Sequence, residues 1–195
     1  MLQFLTQPEE QYSIPEQCQM VIEGGCGWIQ LHLPDTDEVY IRELANQLIP
    51  LCRESSAFLM LENRPELARE LGLHGVHITF DSGLDAIKLR EEFGPEAIIG
   101  VDVTSTDDIM KYQNADIDYL TLPASISDTS KSVIAMSAQQ AGNRLPLVFQ
   151  GSYYIADVLK PFMSNAAGVC TGAHILTAPD PAGYTQEFIK ALSER

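Results

Sequence analysis

Eight short strand-like runs alternate with helical patterns from one end of the chain to the other, and this alternation restricts the fold more than any other feature. Eight strands, each followed by a helix, in 195 residues favour an α/β fold of the (β/α)8 TIM-barrel type. An open doubly wound sheet is the alternative, but no GxGxxG motif follows the first run, so its dinucleotide-binding form lacks support. The predicted strands are residues 2–5, 28–31, 57–61, 75–78, 97–101, 119–122, 147–149 and 168–171.

Start and stop signals bound the helices between these strands. Ser13 and Glu16 have the spacing of a capping box, and Gly24-Gly25 supplies a left-handed stop. Asp35 and Glu38 predict a related start for the second helix. The apolar face of that helix repeats at helical spacing through Ile41, Leu44, Ala45, Leu48, Ile49 and Cys52. Further starts are predicted at Ser105 and Asp180, and further ends at Gly94 and Gly142.

Length and hydrophobic content predict how many domains, each with its own hydrophobic core, the chain can form. Hydrophobic residues make up 45% of the 195 residues, which is enough for one substantial core and too little for two ordinary domains. We therefore expect a single domain over residues 1–195. No apolar run reaches the roughly 18 to 20 residues of a membrane span, and residues 1–4 lack the features of a secretory signal. The chain is thus predicted to be soluble and cytoplasmic, without a membrane partner.

Charge and cysteine usage exclude several function classes. The 27 acidic and 12 basic residues give a formal net charge of −15, which repels nucleic acid and anionic membranes. The four cysteines form no CxxC pair and the four histidines show no ligand spacing, so we expect reduced core thiols instead of zinc or redox chemistry. Whether the chain forms a homo-oligomer is left open.

Motifs at the predicted strand ends occur in a specific order. Residues 23–32 combine a glycine-glycine turn with Gln30-Leu31-His32, which resembles the Gln-Leu-Arg strand end of thiamine phosphate synthases. Further landmarks follow in the same order and spacing: Arg64 with Glu66-Leu67-Ala68, Gly75-Val76-His77, Ile98-Ile99-Gly100-Val101, Asp118-Tyr119, Ser130-Lys131, Leu145-Pro146-Leu147-Val148 with Gly151, and Gly168-Val169 with Asp180-Pro181. This collinear series covers residues 2–190. The chain therefore resembles the thiamine phosphate synthase family, which includes a thiazole tautomerase branch.

The resemblance implies Mg2+-assisted displacement of pyrophosphate from an aminopyrimidine diphosphate by the ring nitrogen of a thiazole phosphate. Such chemistry needs cations at the diphosphate, carboxylates for the metal and backbone amides for the second phosphate. Lys131 and Ser130 are implied as catalytic residues at the diphosphate. The implied substrate-binding residues are Gln30, His32, Asn63, Asp102 and Asp128. The loops after the seventh and eighth strands offer phosphate-binding positions at Gly151, Ser152, Gly172 and Ala173. Glu62 and Asp81 are the carboxylates available for Mg2+.

Several of the family's positions are replaced in this chain. His32 stands where the family has an arginine, and Glu62-Asn63 stands where it has Asn-Asp. Asp102 and Asp128 replace a serine and a threonine, which adds negative charge to a site for anions. We therefore expect a degenerate site with weak or altered activity, or a non-catalytic metabolite-binding protein that retains the barrel. A third hypothesis is an unrelated metal enzyme that uses Glu62, Asp81, Asp102 and Asp128.

Each of these residues also has a simpler structural interpretation. The alternative for Lys131 is a surface lysine at a helix start, and the plainer interpretation of Glu62 and Asp81 is two solvated loop acids. Gln30 is as well explained by hydrogen bonds to neighbouring backbone, and His77 by a satisfied place in the barrel. Ala124 stands where the tautomerase branch would have a histidine, so that activity cannot be carried over.

Overall fold

The computed structural model describes residues 1–8 and 11–194, and its eight parallel strands close into a barrel in sequence order. The strands are β1 (Leu2–Leu5), β2 (Trp28–Leu31), β3 (Phe58–Glu62), β4 (Gly75–Ile78), β5 (Ile98–Asp102), β6 (Tyr119–Leu122), β7 (Leu147–Gln150) and β8 (Gly168–Thr171). The predicted (β/α)8 barrel is confirmed. Strands β3 and β5 lie one residue later than predicted, so Glu62 and Asp102 are strand residues and not loop residues.

Helices surround this barrel. They are α1 (Ile14–Glu23), α2 (Glu38–Ser55), α3 (Pro65–Glu70), α4 (Ala86–Phe93), α5 (Thr106–Tyr112), α6 (Asp128–Gln140), α7 (Ala173–Leu176) and α8 (Pro181–Ser193). The expectation of a helix after every strand is wrong at β7, which is followed by the 3-10 turns Ile155–Asp157 and Pro161–Ser164. Pro161 and the left-handed Asn165 disfavour a continuous α-helix there. Within the described residues, no helix has the length and apolar character to span a membrane.

Most of the predicted helix boundaries are confirmed. The Glu16 carboxylate accepts the Ser13 backbone N–H at 2.8 Å, and Gly25 is left-handed with φ 90°. The start of α2 differs from the prediction, because Asp37 and not Asp35 caps it by accepting the Tyr40 N–H at 3.0 Å. Asp35 instead lies in the preceding loop with φ 53°. The caps at Ser105 and Asp180 and the left-handed glycines Gly94 and Gly142 are as predicted.

Strand alternation divides the barrel side chains into an outer core and an inner set. The inner apolar cluster consists of Leu5, Trp28, Met60, Tyr119, Val148 and Cys170. Residues two positions away share the same inward face, which brings Gln3, Gln30, Glu62 and Thr121 into the barrel. All four cysteines are buried and free, which agrees with their prediction as core thiols. Burial raises the pKa of the Cys26 thiol to about 11, so it stays protonated at neutral pH.

Candidate functional site

Glu62 at the end of β3 binds two predicted site residues, Gln30 in β2 and His32 directly after that strand. Its Oε2 accepts the Gln30 Nε2–H at 2.8 Å, and its Oε1 lies 2.8 Å from His32 Nδ1. Burial opposes ionisation of Glu62, but the hydrogen bond and charge of His32 outweigh it, and the pKa of this carboxyl is lowered. The same hydrogen bond raises the pKa of His32 against the effect of burial. The two residues form a hydrogen-bonded pair, so Glu62 is not the solvated loop acid of the simpler interpretation.

His77 and Asp102 form a second pair deeper in the barrel. His77 Nε2 lies 3.0 Å from Asp102 Oδ1, and His77 Nδ1 lies 3.0 Å from the Tyr119 hydroxyl oxygen. The side chains of His77 and Asp102 are only 3% and 5% exposed. The interpretation of His77 as a satisfied barrel histidine is therefore confirmed. Its partner Asp102 is the last residue of β5.

Lys131 is buried, which contradicts its interpretation as a surface lysine. The residue is 1% exposed, and its Nζ donates to the Gln150 carbonyl oxygen at 2.6 Å and to Asp128 Oδ1 at 3.2 Å. Burial lowers the pKa of Lys131, and Asp128 opposes this effect. Asp128 also accepts the Tyr153 O–H at 3.2 Å. This cluster lies directly before Gly151, the first residue of the loop after β7.

Three other predicted residues take part in local hydrogen bonds. Asn63 has φ 54° and is joined to Thr79 by two side-chain hydrogen bonds of 2.8 and 2.9 Å. The Thr79 hydroxyl donates to Asp81 Oδ1 at 2.8 Å, so Asp81 belongs to the loop after β4. Ser130 is exposed and accepts from the hydroxyl of the α6 cap Ser127 at 2.9 Å.

The carboxylates present do not fit the predicted Mg2+ site. Both oxygens of Glu62 accept hydrogen bonds from protein groups, and Asp81 is bound to Thr79. Across residues 1–8 and 11–194, no group of three His, Cys, Asp or Glu residues is arranged to hold a metal ion. Mg2+ in proteins is usually bound by one or two carboxylates together with waters and substrate phosphates, and here those carboxylates already accept hydrogen bonds from protein groups.

A cavity of about 140 Å³ lies between the loops after β7 and β8. It contains all four predicted phosphate-binding positions and is lined by Leu5, Gln7, Ala124, Gln150, Gly151, Ser152, Cys170, Thr171, Gly172 and Ala173. A Cβ on Gly172 would lie 2.1 Å from the Leu5 carbonyl oxygen, so only glycine fits there. The Gly151 N–H donates to the Cys170 carbonyl at 3.0 Å, so this amide is not available to a ligand. Among the described residues, no backbone hydrogen bond occupies the Ser152 or Gly172 N–H.

Two features were not predicted from the sequence. Gln3 and Tyr119 connect the His32–Glu62 and His77–Asp102 pairs, because Gln3 Nε2 donates to Gln30 Oε1 at 2.9 Å and to the Tyr119 oxygen at 3.0 Å. The only sequence signal for this connection is that Gln3 lies two residues before the inward-facing Leu5, so that both side chains point into the barrel. In addition, Tyr154 and His174 stack with ring centroids 3.9 Å apart and join the loops after β7 and β8.

The structure brings only some of the predicted site residues together, as five of them show: Gln30, Glu62, Asp81, Lys131 and Gly151. Gln30 contacts Glu62, and Lys131 binds the carbonyl next to Gly151. Of the five, however, only Gly151 lines the cavity described above, and Asp81 is bound within its own loop. The polar groups therefore lie at the carboxyl ends of the strands in two separate arrangements.

The fold and the placement of these groups define a TIM-barrel protein whose site lies at the carboxyl ends of its strands. The chain belongs to the thiamine monophosphate synthase family, whose model matches residues 2–175. The thiamine-phosphate synthase of Bacteroides fragilis strain ATCC 25285 is 31% identical over 200 residues, which cover 96% of this chain and 98% of that protein. The same-named protein of Bacteroides thetaiotaomicron is 31% identical over 201 residues, covering 96% and 95%. A solved thiamine phosphate pyrophosphorylase from Pyrococcus furiosus has the same fold, with a TM-score of 0.85, 20% identity and coverage of 99% and 95%.

Proposed function

We propose that this chain acts in thiamine biosynthesis, binding thiazole phosphate between the β7 and β8 loops and coupling it weakly to an aminopyrimidine diphosphate. Relatives with the name thiamine-phosphate synthase match 96% of the chain, which supports small phosphorylated substrates. The observation that carries the proposal is the 140 Å³ cavity, because it contains Ser152, Gly172 and Ala173 in the predicted loops. A cytoplasmic location and a single domain stay predictions.

The thiazole-phosphate end of this reaction is supported by the geometry of the cavity. The amides of Ser152 and Gly172 are free of backbone partners among the described residues, and small side chains leave room for a phosphate to approach them. Lys131 donates to the carbonyl oxygen of Gln150, the last residue before this loop, and so places its ammonium group beside the loop. That charge offsets part of the negative field of the acidic chain at this point.

The diphosphate end retains less of what the reaction requires. In the coupling, the thiazole nitrogen forms a bond to the pyrimidine methylene carbon, the carbon–oxygen bond breaks, and its electron pair leaves with pyrophosphate. The leaving group needs cations. His32 replaces an arginine and is already paired with Glu62, and Lys131 is already paired with Asp128. Coupling is therefore expected to be slow.

The second candidate function is a metabolite-binding protein without catalysis. The observation in its favour is the His32–Glu62 pair, because the histidine that would face the leaving group is bound at 2.8 Å by a carboxylate. In this function the thiazole-phosphate cavity is retained and the coupling step is lost.

Calorimetry followed by a turnover assay separates the two functions. We expect thiazole phosphate to bind and the same thiazole without its phosphate, the matched control ligand, to bind far more weakly. Thiamine phosphate formation from both substrates is then measured with and without Mg2+. Binding with turnover supports the proposed synthase and binding without turnover supports the second function. No difference between the two thiazoles would reject the cavity as a phosphate site.

A further inference from the structure

One continuous hydrogen-bonded chain crosses the interior of the barrel from β2 to β5. Gln3 is its branch point, since its amide nitrogen donates to one residue in each direction. The hydrogen bonds from Gln3 towards Glu62 and His32 form the first arm of the chain, and those towards Asp102 form the second arm. The members, in order, are His32, Glu62, Gln30, Gln3, Tyr119, His77 and Asp102, and each successive pair is 2.8–3.0 Å apart. We call these seven side chains the relay.

The charge of Glu62 fixes the direction of every hydrogen bond in the first arm. A carboxylate only accepts, so Gln30 must present its NH2 group to Glu62 and its oxygen to Gln3. Gln3 must then present its NH2 group to that oxygen, and the second hydrogen of the same nitrogen reaches the Tyr119 oxygen. Flipping either amide would bring two acceptors together.

The direction continues through Tyr119 into the second arm. The Tyr119 oxygen accepts from Gln3, and its own hydrogen has two acceptors within reach: His77 Nδ1 at 3.0 Å and the Met60 sulfur at 3.9 Å. The imidazole nitrogen is the nearer and stronger acceptor. His77 is thereby assigned as the tautomer with hydrogen on Nε2, which donates to Asp102 Oδ1 at 3.0 Å.

We propose that this relay, and not a divalent cation, holds the two carboxylates of the barrel mouth, with Gln3 and Tyr119 as positioning residues. Both oxygens of Glu62 and Oδ1 of Asp102 receive hydrogen bonds from protein donors. Each Glu62 oxygen already accepts a 2.8 Å hydrogen bond, from His32 or from Gln30, so a metal ion there would compete with these two donors. The proposal concerns the protein without a substrate and does not depend on which ligand the β7–β8 cavity binds.

Two features of the barrel accommodate the relay: the space that Gly100 leaves for the Tyr119 ring and the orientation of the Gln3 amide. A Cβ on Gly100 would lie 2.0 Å from the Tyr119 ring, so glycine at this position makes room for the ring that joins the two arms. Gln3 Oε1 is buried without a partner among the described residues, which is costly for an amide oxygen. The Gln3 oxygen stays without a partner because the side chain is oriented so that its amide nitrogen donates to both Gln30 and Tyr119.

Nitrogen-15 NMR of histidine-labelled protein tests the relay directly, without a ligand. The expected spectrum assigns His77 as the neutral Nε2–H tautomer, and millimolar Mg2+ leaves the His32 and His77 signals unchanged. A protonated or Nδ1–H ring at His77 overturns the assigned direction. A saturable Mg2+-dependent shift of His32 overturns the claim that protein donors take the place of the metal. Neither readout involves thiazole phosphate, so failure here is distinct from failure of the proposed function.

A pair of matched variants tests the positioning role. Tyr119→Phe removes the donor to His77 Nδ1 with little change in volume, and the His77 signals are expected to move towards a mixture of tautomers. Tyr40→Phe removes a hydroxyl from a tyrosine that is 47% exposed and should leave the His77 spectrum unchanged. An unchanged His77 in Tyr119→Phe would overturn the role of Tyr119. If Tyr119→Phe does not fold, the tautomer in the unmodified protein still decides.

Discussion

The two sides of the barrel mouth differ in how far the protein satisfies its own polar groups. On the side of β1 to β5, the relay gives Glu62 and Asp102 donors from within the chain. On the side of β7 and β8, small residues border an open cavity, and the Ser152 and Gly172 amides have no backbone partner in the described part of the chain. Groups without internal partners gain most from a ligand. The β7–β8 side is therefore where a phosphate should bind, and the relay side is where we expect the family's chemistry to be altered.

Filling the cavity on the β7–β8 side with a larger side chain should have the largest effect, which is on thiazole-phosphate binding. In Gly172→Ala the new methyl would lie 2.1 Å from the Leu5 carbonyl oxygen, which is backbone and cannot move aside cheaply. We expect thiazole-phosphate affinity to fall by about 100-fold or more, with a loss of roughly 1–3 kcal/mol in the free energy of unfolding. Calorimetry and urea unfolding measure the two effects.

Gly27→Ala is the control for this substitution, because no atom lies within 4 Å of its added Cβ. Equal affinities in the two alanine variants would show that the ligand does not use the β7–β8 cavity.

Removing the buried cation next to the cavity should have the second largest effect. Lys131→Met retains most of the side-chain volume but leaves the Gln150 carbonyl and Asp128 without their donor. Turnover in the coupling assay should decrease by about two orders of magnitude, as for other electrostatic stabilisers. Lys88→Met, at a lysine side chain that is 76% exposed, should leave turnover unchanged. Unaltered turnover in Lys131→Met would rule out the role that the resemblance implies for this residue.

Breaking the His32–Glu62 pair on the relay side should affect the stability of the protein and the pH dependence of that stability. Glu62→Gln removes the charge that pairs with His32 and should cost about 1–2 kcal/mol. The lowered pKa of Glu62 means that its contribution is lost as the pH falls below its ordinary value of 4.5. The raised pKa of His32 means that its contribution is complete below its ordinary value of 6.5 and is lost at higher pH.

The stability difference between the unmodified protein and the Glu62→Gln variant should therefore be largest between pH 4.5 and 6.5. Urea midpoints measured from the acidic to the mildly basic side of this window provide the curve. Glu38→Gln is the control, since Glu38 is 61% exposed and its nitrogen–oxygen distance to Arg42 is 3.8 Å. A difference that is constant with pH would mean that His32 and Glu62 are not an ion pair.

The difference between these two sides was predictable only in part from the sequence. The small residues of the loops after β7 and β8 were identified because they directly follow two predicted strands and match the order of the family's motifs. The relay was not, because its central hydrogen bond joins Gln3 to Tyr119, residues 116 positions apart, and depends on the register of the closed barrel. A one-residue error at the ends of β3 and β5 was enough to place Glu62 and Asp102 in loops instead of inside the barrel.

Removing a contact between the β7 and β8 loops, without filling the cavity, should have the smallest effect on thiazole-phosphate binding. The stacked rings of Tyr154 and His174 join the two loops that border the cavity. An aromatic pair contributes about 0.5–1.5 kcal/mol, so Tyr154→Leu should weaken thiazole-phosphate binding by roughly 2- to 10-fold. Tyr154→Phe keeps the stack and should bind like the unmodified protein in the same calorimetric titration. If leucine and phenylalanine bind equally well, the loops are held by their backbone alone, and the open side is as rigid as the relay side.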